Sequence, residues 1–410
     1  MTATVDTTAA GTSETGDPHY PMARQCPFDP PQELNAIQAT EPITRVTLWD
    51  GSHPWLVTRH ADVRAVLADQ RFSADVFTPG YPATSASVAT RRRTAPSFIA
   101  MDDPQHAFFR KMLISEFSVK AIRRLRPMIT EAVDDLLDTM AASEQPVDLV
   151  QAFALPLPSL VICRMLGVPY ADHPFFQARS HTLVDTTSSV DDSVAATNEL
   201  VEYLEGLVAE REESGSEDDL LGRLAVRHVL TGEITRHQAA SMGLLLLVAG
   251  HETTANMIAL GTLLLLQDPD QATKVRDGES VDGAVEELLR LLTVTHIGRR
   301  RVATEDIELG GVTIRAGEGV IAAGEIANRD PDVFADPDAL DVDRTPNHHV
   351  AFGHGVHQCL GQQLARVELQ IAYPALLRRF PGLRVDAPLE DIAFRDTMAV
   401  YGVHALPVTW

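Results

Sequence analysis

The decapeptide FGHGVHQCLG, Phe352 to Gly361, decides how the rest of the chain is read. A glycine-rich loop delivers one cysteine, Cys359, to the start of a helical run, QQLARVELQIAYPALLRRF. The first amides of a helix have no intrahelical partner and the helix dipole is positive there. This placement therefore predicts a thiol with a lowered pKa, fit to act as a nucleophile or a metal ligand. Two other readings stay open at this point. A lone cysteine is commonly an inert core residue, and zinc is a further option because His348, His349, His354, His357 and Cys359 lie within twelve residues. No second ligand pair with regular zinc spacing accompanies them.

Upstream, MGLLLLVAGHETTANMIALGTLLLL runs from Met242 to Leu266. Its composition alone would allow a bilayer span. The midpoint argues against it, because His251, Glu252, Thr253, Thr254 and Asn256 cluster where lipid least tolerates an ionisable group. A buried helix is expected instead, about 38 Å long at roughly 1.5 Å per residue and apolar on nearly every side.

Composition narrows the class. A chain of 410 residues is long enough for two or three domains at roughly 150 residues each. Hydrophobic residues make up 45% and charged residues 22%, a globular balance that excludes wholesale disorder. The net charge of −23 repels nucleic-acid backbones and anionic lipid, so neither a nucleic-acid partner nor a membrane anchor is expected. Cys26, Cys163 and Cys359 form no CxxC pair, which argues against a disulfide framework and fits a reducing cytoplasm. Met1 to Pro18 lacks the basic and apolar regions of a signal peptide and reads as a disordered N-terminal tail.

The pattern elsewhere is mainly α with a minor β part. Helices are expected at Ala61–Leu67, Gln105–Phe117, Val119–Met140, Phe153–Leu166, His173–Thr186, Asp191–Glu213 and about Leu360–Phe380. Strands are expected at Val46–Trp49 and Trp55–Thr58 across Asp50-Gly51, and at Ile307–Leu309, Val312–Ile314 and Val320–Ala322. No internal repeat or linker separates domains.

Phe352, Gly353, Gly355, Cys359 and Gly361 resemble the FxxGxxxCxG cysteine loop of the cytochrome P-450 superfamily, the haem-thiolate monooxygenases. Three further motifs fall in order: Glu287 and Arg290 in EELLR, AGHETT at Ala249 to Thr254, and DPDALDVDR ending at Arg344. LPSLVICRMLGVPYADH and the terminal LPVTW look like the soluble actinobacterial branch that oxidises macrolides, sterols and other bulky natural products. The resemblance implies one cytochrome P-450 haem domain over residues 19–410, with haem b held between the long central helix and the cysteine helix.

That resemblance assigns roles. Cys359 would be the axial iron ligand, with Phe352 packed beside the sulfur and Gly353, Gly355 and Gly361 leaving room for the porphyrin. His106, Arg110, Arg301 and His357 match propionate partners, with weaker matches at Arg299 and Arg300. Glu287, Arg290 and Arg344 would form a structural ion network. The Thr253 hydroxyl can compete for the Ala249 carbonyl and kink the helix beside Gly250, making room for dioxygen. Glu252 and Thr253 would then relay protons during dioxygen reduction. His251 is left outside that mechanism.

Electrons must come from outside, because no strand followed by GxGxxG and a helix appears. Ferredoxin and ferredoxin reductase are the implied supply, docking on a basic patch drawn from Arg64, Lys111, Arg123, Arg124 and Arg366. A small-molecule substrate would lie under the loop Phe77–Phe98, the His173–Thr187 region, Leu245–Ala249, Val294–Ile297 and the turn Met398–Val400. Arg91, Arg92 and Arg93 on that loop could steer an anionic substrate. TLWDGSHPWLVT and NMIALG also resemble a nitric oxide reductase branch of the fold, but Glu252 before Thr253 favours oxygen activation over that chemistry and over peroxide-driven relatives.

Overall fold

The computed structural model describes residues 16–94 and 97–410, with the backbone alone at 91–94. Residues 1–15 of the expected tail, and the side chains of Arg91, Arg92 and Arg93, lie outside the described residues. The last part of that tail is not frayed. Asp17 pairs with His53 at 3.1 Å, and the Pro18 carbonyl accepts the Thr47 amide at 2.8 Å.

Fourteen α-helices are described. The first seven are α1 (Gln32–Thr40), α2 (His60–Ala68), α3 (Ala86–Thr94), α4 (Gln105–Ile114), α5 (Val119–Ala141), α6 (Pro156–Leu166) and α7 (His173–Val184). The others are α8 (Val190–Ser214), α9 (Leu220–Leu224), α10 (Arg236–Gln267), α11 (Pro269–Asp277), α12 (Val281–Leu292), α13 (Gly324–Ala327) and α14 (Gln362–Arg379). The segment expected to be one helix from Phe153 divides into a wide turn, Val150–Ala154, followed by α6, whose first residue is Pro156. Helices α1, α3, α9, α11 and α13 went unread. The longest of them has 9 residues, too few for the apolar period to stand out.

The strands are few and short: β1 (Ile43–Arg45), β2 (Trp55–Val57), β3 (Phe72–Ser73), β4 (Val147–Asp148), β5 (Arg299–Ala303), β6 (Ile307–Leu309), β7 (Val312–Ile314), β8 (Gly319–Ala322), β9 (Arg384–Val385) and β10 (Pro407–Thr409). They form a five-stranded sheet ordered β1-β2-β8-β5-β3, a three-stranded sheet β4-β10-β9 and the hairpin β6-β7. The first strand lies three residues earlier than expected. Its ladder pairs Ile43 with Val57 and Arg45 with Trp55, and past this point Pro54 has no N–H to continue it. Val46 to Trp49 instead close the hairpin through single bonds, Val46 N to the Pro54 carbonyl and Leu48 N to the Ser52 carbonyl.

Helices α6, α8, α9, α11, α12 and α14 pack around α10. It opens with a capping box, in which the Thr235 hydroxyl accepts from the Gln238 amide and the Gln238 side chain accepts from the Thr235 amide. It stops at Asp268-Pro269, where Asp268 caps α11. Long and apolar enough to cross a membrane by length and composition, α10 is instead mostly buried against α6, α8 and α14. It is continuous through Ala249–Thr253. Gly250 lies against α6: a Cβ there would be 3.0 Å from Ile162 Cγ1, so its smallness sets the approach of two helices.

The tightest of these approaches is at Gly261, where a Cβ would lie 2.1 Å from the Tyr373 hydroxyl of α14, itself donating to the Met257 carbonyl at 2.5 Å. Gly261→Ala is therefore expected to destabilise the fold by ~1–3 kcal/mol. Gly206→Ala, on exposed α8 surface with nothing within 4 Å of the new methyl, should raise stability by ~0.5–1 kcal/mol. Denaturant unfolding of the two variants checks both signs.

Candidate active site

The cysteine loop is shaped by its own protein neighbours. Gly353 and Gly355 adopt φ of 74° and 72°, and the Phe352 carbonyl accepts the Cys359 amide at 2.8 Å. A Cβ at Gly355 would lie 2.3 Å from the Leu67 carbonyl, and one at Gly353 would lie 3.0 Å from Arg299 Nε. These two glycines are thus required by backbone conformation and by Leu67 and Arg299, whereas Gly361 faces open space. Phe352 packs its ring under the Arg366 guanidinium at 4.6 Å and near His349 at 6.0 Å.

Cys359 keeps accessible surface within a protein enclosure. Enclosure raises its thiol, and the Gly361 N–H together with Arg299, Arg110 and Arg366 pulls it down without overcoming burial. α14 begins only at Gln362, so Cys359 stands before its first turn rather than inside it. Arg299 belongs to this site more firmly than its sequence match indicated. It lies beside Cys359 and Gly353 and donates to the Ala351 carbonyl at 2.6 Å.

A second cluster gathers residues far apart in sequence. The rings of His106 and His357 lie 4.0 Å apart, His106 bonds Asp103 at 3.1 Å, and Arg110 donates to the Gln358 carbonyl at 2.6 Å. Burial lowers His357 to about 3, and the charges of Arg301, His106 and Arg110 add to it, so all four basic residues face one locus. His106 Nε2 and His357 Nδ1 are buried without hydrogen-bond partners among the described residues. Two orphaned ring nitrogens flanked by two guanidiniums suit a pair of carboxylates such as those of haem.

The midpoint of α10 forms the facing wall. Leu245, Ala249 and Thr253, spaced four apart on one side of the helix, keep accessible surface while most of the helix is buried. The Thr253 hydroxyl donates to the Ala249 carbonyl at 2.9 Å. Glu252 is 5% exposed, and its Oε2 accepts from Arg395 Nη2 at 3.0 Å; Arg395 Nη1 donates to Asn256 Oδ1 at 3.2 Å. His251 is buried beside the acid, its Nε2 3.7 Å from Glu252 Oε1, and burial pushes its pKa down. Consecutive helical residues do not face each other, so the Glu252 and Thr253 side chains leave α10 on different sides.

Beneath the loop, Glu287 and Arg290 are both 0% exposed and joined by two bonds of 2.7 Å. Arg344 joins at 3.0 Å and Asn347 at 3.1 Å. Burial opposes ionisation of Glu287, but its bonds to Arg290, Asp341 N–H and Arg344 hold the carboxyl below its ordinary value. Next to it, Glu286 accepts from His349 at 3.0 Å and from Arg366 at 2.6 Å and 2.9 Å; burial opposes its ionisation too, yet these partners hold it at about 2. Arg366 is thereby paired and half-buried, whereas Arg64, Lys111, Arg123 and Arg124 are exposed. The described residues contain no group of His, Cys, Asp and Glu arranged to hold a metal ion by themselves, which removes the zinc reading.

The segments expected to cover a substrate also meet. Ala399 N donates to the Val184 carbonyl at 2.7 Å, Tyr401 N to the Val294 carbonyl at 2.7 Å, and the His296 ring bonds the Met398 carbonyl at 2.9 Å.

A sequence profile of the family described as Cytochrome P450 matches residues 35–278 and 279–394. The chain belongs to the cytochrome P450 family. It is 54% identical to cytochrome P450-SU2 of Streptomyces griseolus, over 94% of each chain. It is 47% identical to vitamin D3 dihydroxylase of the same organism, covering 98% of this chain and 100% of that one. The crystal structure of GfsF, a cytochrome P450 of Streptomyces halstedii, superposes with a TM-score of 0.89 at 48% identity, over 96% of this chain and 100% of that one. The family carries haem and its enzymes are monooxygenases, and this P450 is one of them. Arg395, Asn256 and Glu286 were missed by sequence reasoning, since each meets its partner only through the fold.

Glu287→Gln leaves two buried guanidiniums short of an anion and is expected to cost ~3–5 kcal/mol in denaturant unfolding. Depressed folded-state carboxyls contribute stability above their unfolded pKa and lose it as pH falls. For Glu286 that loss should run from its ordinary value of 4.5 down to about 2. Acid titration of Glu286→Gln should show a smaller fall in stability over this window than wild type.

Proposed function

We propose that this P450, a single haem domain, inserts one oxygen atom of dioxygen into an unactivated C–H bond of a bulky, apolar small molecule. The other atom leaves as water, and the site works in the cytoplasm with haem b. Haem, when bound, supplies the centre at which dioxygen is activated. Cys359 would ligate its iron, and His106, Arg110, Arg301 and His357 would hold its propionates through the cluster with two orphaned ring nitrogens. Phe352 and Gly353 shape the loop on the cysteine side, and Ala249 lies on the accessible stripe of α10.

The observation that carries the reading is the acid–alcohol pair inside an apolar helix. Glu252 holds or releases a proton at Oε1 or Oε2, and the Thr253 Oγ1, anchored on the Ala249 carbonyl, passes it toward the accessible stripe. A nitric oxide reductase of this fold does not split dioxygen and has no use for that acid. Vitamin D3 dihydroxylase, by its name, oxidises a sterol-derived molecule, and a substrate of similar bulk is proposed here. Electrons would come from a ferredoxin and its reductase, docking among Arg64, Lys111, Arg123 and Arg124.

The reduced protein under carbon monoxide should show the strongly red-shifted Soret band of a thiolate ligand, and Cys359→Ser should lose it. An imidazole-type band in wild type would overturn the ligand assignment. Thr253→Ala should divert reductant to hydrogen peroxide, lowering product per reductant by about tenfold to a hundredfold. Rapid nitric oxide-dependent oxidation of nicotinamide without ferredoxin would instead favour the reductase alternative.

A further inference from the structure

The last forty residues hold a hairpin whose two ends touch different parts of the site. The Arg395 amide donates to the Gly402 carbonyl at 2.9 Å and the His404 amide to the Ala393 carbonyl at 2.9 Å. At its root the Arg395 side chain, in a residue 9% exposed, grips Glu252 and Asn256, which are i and i+4 on one face of α10. The root is seated closely: a Cβ on Gly402 would lie 1.9 Å from Asn256 Oδ1. At its tip Met398 N bonds the Arg395 carbonyl at 3.2 Å, while Ala399 N reaches the Val184 carbonyl at 2.7 Å and Thr186 N reaches the Thr397 carbonyl at 3.0 Å. Val184 is the last residue of α7, in the segment expected to cover a substrate.

We propose that Arg395 is a positioning residue that couples the lid over the pocket to the acid Glu252, through the hairpin Ala393–His404. The inference rests on the reading of Glu252 as a proton carrier. Tip and lid are joined by backbone bonds, so the end of α7 cannot lift away without breaking them or carrying the tip with it. Any movement of the tip reaches Arg395, whose amide and carbonyl both bond within the hairpin. A planar guanidinium bonded to two acceptors on one helix face has no freedom to absorb the shift, and passes it to the carboxylate. The neighbouring imidazole cannot replace it as partner of the anion. His251 Nδ1 donates to the Leu247 carbonyl at 2.6 Å, so in the neutral ring Nε2 offers only a lone pair.

The test is amide hydrogen exchange on the full-length, haem-loaded protein, with and without 4-phenylimidazole, which binds the iron through its ring nitrogen and fills the pocket. In wild type the probe should slow exchange at Met398, Ala399 and Tyr401 several-fold. Glu252→Gln, although on α10, should speed exchange at these three amides about tenfold and abolish the response to the probe. Arg395→Gln should do the same, and Arg395→Lys should restore part of the protection. Wild-type exchange at the turn in Glu252→Gln, or an equal rise over the whole chain, overturns the coupling. Failure of the proton-carrier reading appears elsewhere, as unchanged product per reductant in Glu252→Gln while exchange at the three amides still rises in that variant.

Discussion

Arg290 cannot be buried with any of its guanidinium donors idle. Completely enclosed, it gives two bonds to Glu287 and one each to the carbonyls of Asn328 at 2.9 Å, Pro337 at 2.7 Å and Ala339 at 3.2 Å. Leaving such a charge short of partners costs several kcal/mol, so those three carbonyls have little choice of position. The constraint then travels along the chain. Asn328, fixed by its own carbonyl, bonds Thr293 at 2.9 Å and accepts the Val350 amide at 2.7 Å through its side chain. The Val350 carbonyl accepts the Gly353 amide at 2.8 Å, and Phe352 next accepts Cys359. One ion pair, formed within a single turn of α12, thereby places a sulfur almost seventy residues later. The residues between, 328–347, are largely irregular and owe their path to this pair.

The wall opposite the cysteine loop answers a different difficulty, since α10 must carry polar groups through an apolar core. It holds a carboxylate on one side and meets a neutral acid on another. Glu252 is matched by Arg395, whereas Glu368 of α14 is fully buried, is pushed well above the ordinary carboxyl range by desolvation, and bonds Thr254. A protonated acid needs no counter-ion, so α10 and α14 can pack tightly at Gly261 and Tyr373 without a second arginine. The charge that α10 does keep is placed beside the accessible stripe of Leu245, Ala249 and Thr253.

What could be read in the sequence follows the range of the interactions. The i, i+3 pair Glu287–Arg290 and the i, i+4 bond from Thr253 to Ala249 are written in local spacing, and both are present in the structure. The cysteine loop was legible for the same reason, because the spacing of its Phe, Gly and Cys residues lies within ten residues, Phe352 to Gly361. Partners that meet only through the fold were invisible: Glu252 and Arg395 are 143 positions apart, and Arg366 turns to a carboxylate 80 positions away. The helix terminus near Cys359 is a local feature, whereas the enclosure of its thiol is a property of the whole fold. Gly250 shows the same limit. Its presence was a local fact, and its neighbour Ile162 was not.

Charge accounting bears on how such a protein meets an acidic electron carrier. Among the described residues, the buried arginines Arg290, Arg300, Arg301, Arg329 and Arg395 stand against four buried carboxylates, Glu252, Glu287, Glu325 and Asp330, beside the Glu368 acid. The described interior therefore holds none of the excess negative charge behind the chain's net −23. At physiological ionic strength the Debye length is about 8 Å, so distant acids are screened and a carrier at contact feels chiefly the nearest charges. Attraction then depends on local exposed cations, and Arg64, Lys111, Arg123 and Arg124 can supply it where Arg366, held by Glu286, cannot. At contact range, acidic faces of the surface would repel such a carrier and leave docking to faces where exposed cations outnumber acids.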